Sequence, residues 1–134
     1  MREFKIPGKA QAKQRPRMGR SGIVYTPKET LVYENYVKMC YSDYAKQFGW
    51  LPYENQVRAE IEVLVAVPKS DSKTKKKAKI EGMIRPAVKP DCDNLAKSIL
   101  DSLNGLAYQD DKQVVELFVK KYYAENAEVR VRLT

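Results

Sequence analysis

The segment from Gln56 to Pro68, QVRAEIEVLVAVP, constrains the fold more than any other part of the chain. Val57, Ala59, Ile61, Val63, Val65 and Val67 alternate with other residues over its whole length. A strict period of two places all six on one face of a β-strand. That face needs a layer to cover it, so the sequence must also supply helices or a second sheet. Leu64 and Ala66 break the polar alternation on the other face. They predict that the end of this strand is covered on both sides.

The covering layer is legible. Residues 33, 36, 37, 40, 44 and 48 are apolar at helical spacing and stop at Gly49, which predicts a helix over 27–48. Thr26 is the expected cap, Pro27 the first helical residue, and Glu29 the partner in a capping box. The tyrosines at 33, 36, 41 and 44 then read as packing residues. A second helix follows Pro90, with Leu95, Ile99, Leu100 and Leu103 as its apolar stripe. Asp93 is its expected cap and Asn104-Gly105 its stop. Ser70 or Ser72 can cap a short helix ended by Gly82. Further strands are expected at 2–7, briefly at 23–25, and at 113–123 and 127–133, the last two paired as a hairpin joined near Glu125-Asn126. The expected fold is an α/β, or α+β, two-layer sandwich, a small mixed sheet with two main helices packed on it. No repeat or linker divides the 134 residues, so one domain over 1–134 is expected.

Several chemistries are excluded by what the chain lacks. It has no histidine, and its two cysteines, Cys40 and Cys92, stand far apart. The common structural zinc sites and histidine general bases are therefore absent. The longest wholly apolar run is Val63–Val67, too short for a membrane span, and the N-terminus carries no signal-peptide pattern. A soluble cytoplasmic protein without a membrane partner is the expectation. The net charge of +8 favours polyanionic partners, nucleic acid first among them.

The charge is segregated. Residues 91–111 hold five acids, Asp91, Asp93, Asp101, Asp110 and Asp111, against one base, Lys97, a net −4 that leaves +12 on the rest of the chain. Singly, each acid has a structural reading: Asp93 as a cap, Asp110 or Asp111 in a turn, Asp101 on a solvent-facing helix position. Jointly, Asp91 and Asp93 open the second helix while Asp110 and Asp111 lie beyond its end. Leu106–Gln109, about 13 Å when extended, is long enough to turn the chain back along the helix. Carboxylates that converge there would repel unless a cation lay between them. Hard oxygen ligands select Mg²⁺, with Mn²⁺ as the other candidate, over zinc or copper. Such an ion could serve phosphodiester hydrolysis. Lys97, at i+4 from Asp93, reads equally as a helix salt bridge or as a stabiliser of phosphate charge.

Basic residues elsewhere match a nucleic-acid backbone. Lys13, Arg15, Arg17 and Arg20 stand in an acid-free, aperiodic stretch that reads as an exposed loop. Lys73, Lys75, Lys76, Lys77 and Lys79 lie within residues 69–79, which hold six lysines and one aspartate. A solvated lysine face is the competing reading of the second group.

The motif Asp91-Cys92-Asp93-Asn94-Leu95-Ala96-Lys97, followed by Asp101-Ser102-Leu103-Asn104-Gly105 and then Asp110-Asp111, resembles the RusA family of Holliday-junction resolvases. More loosely, the resemblance extends to the basic N-terminal loop, to Tyr25–Lys28 and to the lysine-rich segment. It implies a homodimeric, Mg²⁺-dependent endonuclease that resolves four-way DNA junctions by paired nicks, in recombination and repair, in a family common in prophages. It further implies Asp91, Asp93 and Asp111 as catalytic metal ligands, Lys97 as an essential lysine, and Asp110 as a ligand or support. Two rivals are weighed beside it: a non-catalytic basic nucleic-acid-binding protein, and a metal-dependent phosphohydrolase of smaller substrates. The second leaves the basic loop unexplained, and the chain has no Gly-rich phosphate cradle.

Overall fold

The computed structural model describes all of residues 1–134. The elements run in the order β1 (Arg2–Pro7), β2 (Arg17–Met18), β3 (Val24–Tyr25), α1 (Lys28–Phe48), β4 (Val57–Ala66), α2 (Lys73–Ile80), α3 (Cys92–Ser102), β5 (Val114–Ala124) and β6 (Glu128–Leu133). The four long strands form one mixed sheet in the order β1-β6-β4-β5, and β2 pairs with β3 as a separate hairpin. This is the expected α+β sandwich. The strand read from alternation, β4, lies inside the sheet, antiparallel to β6 and parallel to β5.

The expected hairpin between 113–123 and 127–133 does not form. Both strands exist and a short connection joins them, but β4 sits between them in the sheet. A sequence cannot distinguish a tight turn from a short connection that steps over a neighbour. Here β4 offers an apolar face that continues the β6 face: Ala59, Ile61 and Val63 stand opposite Leu133, Val131 and Val129.

That shared face is the core. Phe4, Ile6, Val57, Ala59, Ile61, Val129, Val131 and Leu133 are all fully buried beneath Val37 and Tyr41 of α1, Leu95 and Ile99 of α3, and Leu103 just past its end. The other face is wet and charged. Arg132 lies 3.4 Å from Glu3 and 3.5 Å from both Glu60 and Glu62. Leu64 is buried as expected, whereas Ala66 is exposed; the second-face cover thus protects only part of the β4 end.

The helix boundaries follow their sequence signals, but the caps differ. Pro27 is the N-cap of α1 and no side chain caps it; backbone N–H groups of Thr30 and Leu31 donate to Pro27 O instead. The Thr26–Glu29 capping box is therefore absent. Gly49 ends α1 in the left-handed region at φ 68°, a conformation that glycine adopts without a Cβ penalty. Ser72 caps α2, its hydroxyl accepting from Lys75 N–H at 3.2 Å. The N-cap of α3 is Asp91, not Asp93.

Candidate active site

The α3 N-terminus presents Asp91 with extended backbone angles and no cap bond from its side chain. Its carboxylate is therefore left free, beside the unpaired N–H groups that begin a helix. Asp93 lies in the first turn, exposed. The segment that delivers Asp91 is held by Lys121 of β5, whose ammonium donates to Val88 O and, at 2.9 Å, to Pro90 O. Lys121 was not among the residues picked out from sequence, because only the fold places β5 beside residues 88–90.

Beyond α3 the chain does turn back, but only as far as the helix C-terminus. Gly105 N–H donates to Tyr108 O at 2.8 Å, and the buried Tyr108 hydroxyl donates to Leu100 O at 2.7 Å. Asp110 then caps a short 3₁₀ turn, accepting from Lys112 N–H at 2.8 Å, while Gln113 completes the reciprocal bond. This gives Asp110 a structural role. Asp111, the first residue of that turn, lies beside Asp101.

The acids thus divide along α3. Asp91 and Asp93 occupy its start, Asp101 and Asp111 its end, and Lys97 stands between. About 12 Å of helical rise separates Asp93 from Asp101. No three acidic side chains come together as a closed ligand group, so the tight convergence that the turn-back suggested is not what forms. The donor chemistry still fits Mg²⁺, which keeps several waters and takes one or two carboxylates plus substrate phosphate rather than a full protein cage.

Asp101 is the best-connected acid. Its carboxylate accepts from Lys13 Nζ at 2.7 Å and lies 3.4 Å from Lys97 Nζ, and its side chain is 16% exposed. The expectation of a solvent-facing Asp101 is therefore corrected. Lys97 pairs with Asp101 at i+4, not with Asp93. Lys13 also lies 3.1 Å from Glu34 of α1, and its backbone N–H donates to Asn94 O at 3.3 Å. Burial opposes ionisation of Asp101, but the Lys13 hydrogen bond and the two ammonium charges outweigh it and hold its pKa below the usual carboxylate value. Asp111 shifts the opposite way. Burial, and then the adjoining Asp101 and Asp110 carboxylates, push its pKa upward.

The candidate backbone-binding residues separate into two kinds. Arg15, Arg17 and Arg20 are exposed on and around the β2–β3 hairpin, and Lys73, Lys75 and Lys77 are exposed on α2, with Lys76 partly so. Lys13 is taken up by Asp101 and Glu34. Lys79 is taken up by Asp71 at 2.5 Å and lies 4.7 Å over the Tyr123 ring. Neither has a free ammonium to offer a phosphate.

A family model described as endodeoxyribonuclease RusA matches residues 7–134, which includes α3, the turn after it and the basic hairpin. The chain belongs to the RusA endodeoxyribonuclease family. A relative from Bacillus subtilis (strain 168), named uncharacterized protein YqaN, is 35% identical over 136 residues, covering 98% of this chain and 94% of the relative. DNA strand cleavage is thus the activity class of this RusA-family chain. No helix is long and apolar enough to cross a membrane.

Proposed function

We propose that this RusA-family enzyme is a Mg²⁺-dependent, structure-selective endonuclease that resolves four-way DNA junctions as a homodimer. The observation that carries the reading is the face of α3. Asp91, with no bond to its own helix end, leads to Asp93, Lys97 and Asp101 at successive turns, and Asp111 lies beside Asp101. Asp91 and Asp93 at the start of α3 and Asp111 near its end would offer the carboxylates, one or two to a cation with water and substrate phosphate completing its shell, and the bound ion would polarise the scissile phosphodiester and offset charge on the leaving oxygen.

The chain's own residues would do the rest. The α3 N-terminus presents backbone N–H groups and the positive end of its dipole to a phosphate. Lys97, with a side chain 63% exposed, has an ammonium accessible to the phosphoryl oxygens, and Asp101 behind it fixes its direction. Arg15, Arg17, Arg20 and the α2 lysines would engage backbone phosphates on either side. Two-fold symmetry suits a junction, because two equivalent scissile phosphates meet two equivalent sites. Action in recombination and repair follows from this substrate.

The test is a cleavage assay on four-way junction, fork and linear duplex DNA, each with Mg²⁺, Ca²⁺ or EDTA. Paired nicks in the junction with Mg²⁺ and none in EDTA are expected. Asp93→Asn should lose cleavage by at least about 10²-fold, the scale of a lost electrostatic contribution, while still binding the junction. Wild-type cleavage by Asp93→Asn would remove the site assignment.

A further inference from the structure

Four large apolar side chains stand on the β2–β3 hairpin, which has no core in which to bury them. Met18, Ile23, Val24 and Tyr25 are 73%, 68%, 61% and 49% exposed. The hairpin is two residues per strand, too short to persist on its own. Its tip is closed by Gly19 N–H donating to Ile23 O at 2.8 Å and Gly22 N–H donating to Gly19 O at 3.0 Å. Gly22 sits at φ +77°, a turn conformation that a side chain would strain.

The hairpin is rooted rather than loose. Just before it, Lys13 N–H donates to Asn94 O on α3 and Gln14 N–H donates to the Thr30 hydroxyl on α1 at 3.2 Å. The Lys13 ammonium is held by Asp101 and Glu34. The base of the hairpin is thus fixed to the same helix that carries Asp91, Asp93 and Lys97. Between Gly8 and Lys28 there is no acidic residue at all, and Arg15, Arg17 and Arg20 surround the apolar tip.

This combination narrows the partner. Arginines without acids select a polyanion, and a second copy of the same hairpin would bring the same three positive charges against them. Exposed methionine, isoleucine, valine and tyrosine, in turn, have no role on a phosphate backbone. They suit base faces, which a stacked duplex hides and a branch point uncovers. We propose that the β2–β3 hairpin is a wedge. Its arginines engage phosphates, and Met18, Ile23, Val24 and Tyr25 pack against bases unstacked at the branch of the DNA substrate. The proposal deepens the endonuclease reading and rests on it for the identity of the polyanion.

The experiment measures binding in EDTA, so that it does not depend on cleavage. A four-way junction carries 2-aminopurine at the branch point, and a linear duplex of the same composition is the control. Binding of the full-length wild type should raise the 2-aminopurine fluorescence. A Met18→Ser/Ile23→Ser/Val24→Ser variant, whose changes are all at exposed positions, should lose that rise. It should also bind the junction at least tenfold more weakly while its duplex affinity changes less than twofold. An Arg15→Ala/Arg17→Ala/Arg20→Ala variant should weaken both substrates and flatten the salt dependence. Unchanged fluorescence and junction affinity in the serine variant would overturn the wedge. So would a change in sedimenting mass with the DNA signal intact, which would make the surface a subunit contact. Failure of the endonuclease reading shows separately, as wild type that nicks no DNA in Mg²⁺.

Discussion

Asp101 holds two ammonium groups on one carboxylate, with Lys13 at 2.7 Å and Lys97 at 3.4 Å. Asp101→Asn should therefore cost about 1.5–3 kcal/mol, the range for a hydrogen bond to a charged group, measured by urea unfolding. The pH dependence has a definite sign. A carboxylate whose pKa is depressed by folding adds stability above its unfolded pKa and loses it as pH falls through the folded value. Lys13, despite burial, is raised by Asp101 and Glu34, so its share is complete below the ordinary lysine range and lost above it. The pair is therefore intact at neutral pH. Wild type should lose this increment only below the usual carboxylate range, and Asp101→Asn should lack that acid-side slope. Asp111 is the opposite case. Burial and its acidic neighbours raise its pKa, so ionising it at neutral pH costs native stability. Asp111→Asn should raise the melting temperature in EDTA at neutral pH while removing cleavage; a lowered melting temperature would contradict the repulsion.

At the scale of elements, the turn after α3 decides where Asp111 goes, and Gln113 holds that turn. Its side-chain oxygen accepts from Gln109 N–H at 2.9 Å, and its amide nitrogen donates to Tyr53 O and Asn55 O, each at 2.9 Å. Gln113→Ala removes these three bonds and the one that Asp110 N–H donates to the same oxygen at 3.3 Å. Net worths of about 0.5–1.5 kcal/mol per bond predict a loss of about 2–6 kcal/mol in urea unfolding. Cleavage should fall with it even where the protein remains folded, because Asp111 loses its anchor. A silent Gln113→Ala would mean that Asp110 alone holds the turn.

The sheet has two edge strands, β1 and β5, and the β5 edge carries exposed apolar side chains. Past β5 there is no further strand. Arg85, donating to Lys121 O at 2.6 Å, covers only its later half. On the earlier half Val115, Leu117 and Phe118 are exposed, and a long apolar edge invites another strand. A second copy of β5 run antiparallel about Phe118 would set Glu116, paired with Arg58 at 3.3 Å, near Lys120, paired with Glu60 at 3.3 Å, so the contact would rest on Leu117 and Phe118. We place the two-fold contact of the proposed homodimer there. Leu117→Lys/Phe118→Lys should shift the sedimenting mass from dimer to monomer and abolish paired nicking. A variant that stays dimeric would move the interface elsewhere.

The local patterns were enough for every long element. β4 followed from six alternating apolar residues, α1 from its helical spacing and Gly49, and α3 from Leu95, Ile99, Leu100 and Leu103. These signals are local, because each records which side of one segment faces away from water. The charge segregation around α3 was equally visible, and the ordered acid–lysine motif carried the family. The order of strands was not legible, since a three-residue connection at 125–127 fits either a hairpin or a step across β4. Nor was the partner of a charge. Lys13 looked like a phosphate contact until the fold set it between Glu34 and Asp101, 21 and 88 positions away in sequence. Lys97 stood one turn from Asp93, open equally to a salt bridge there or to a phosphate, until the fold paired it with Asp101. Spacing fixes what a side chain can reach along its own helix, but which of two reachable charges holds it depends on burial and on the other elements packed there. Those are properties of the tertiary structure alone.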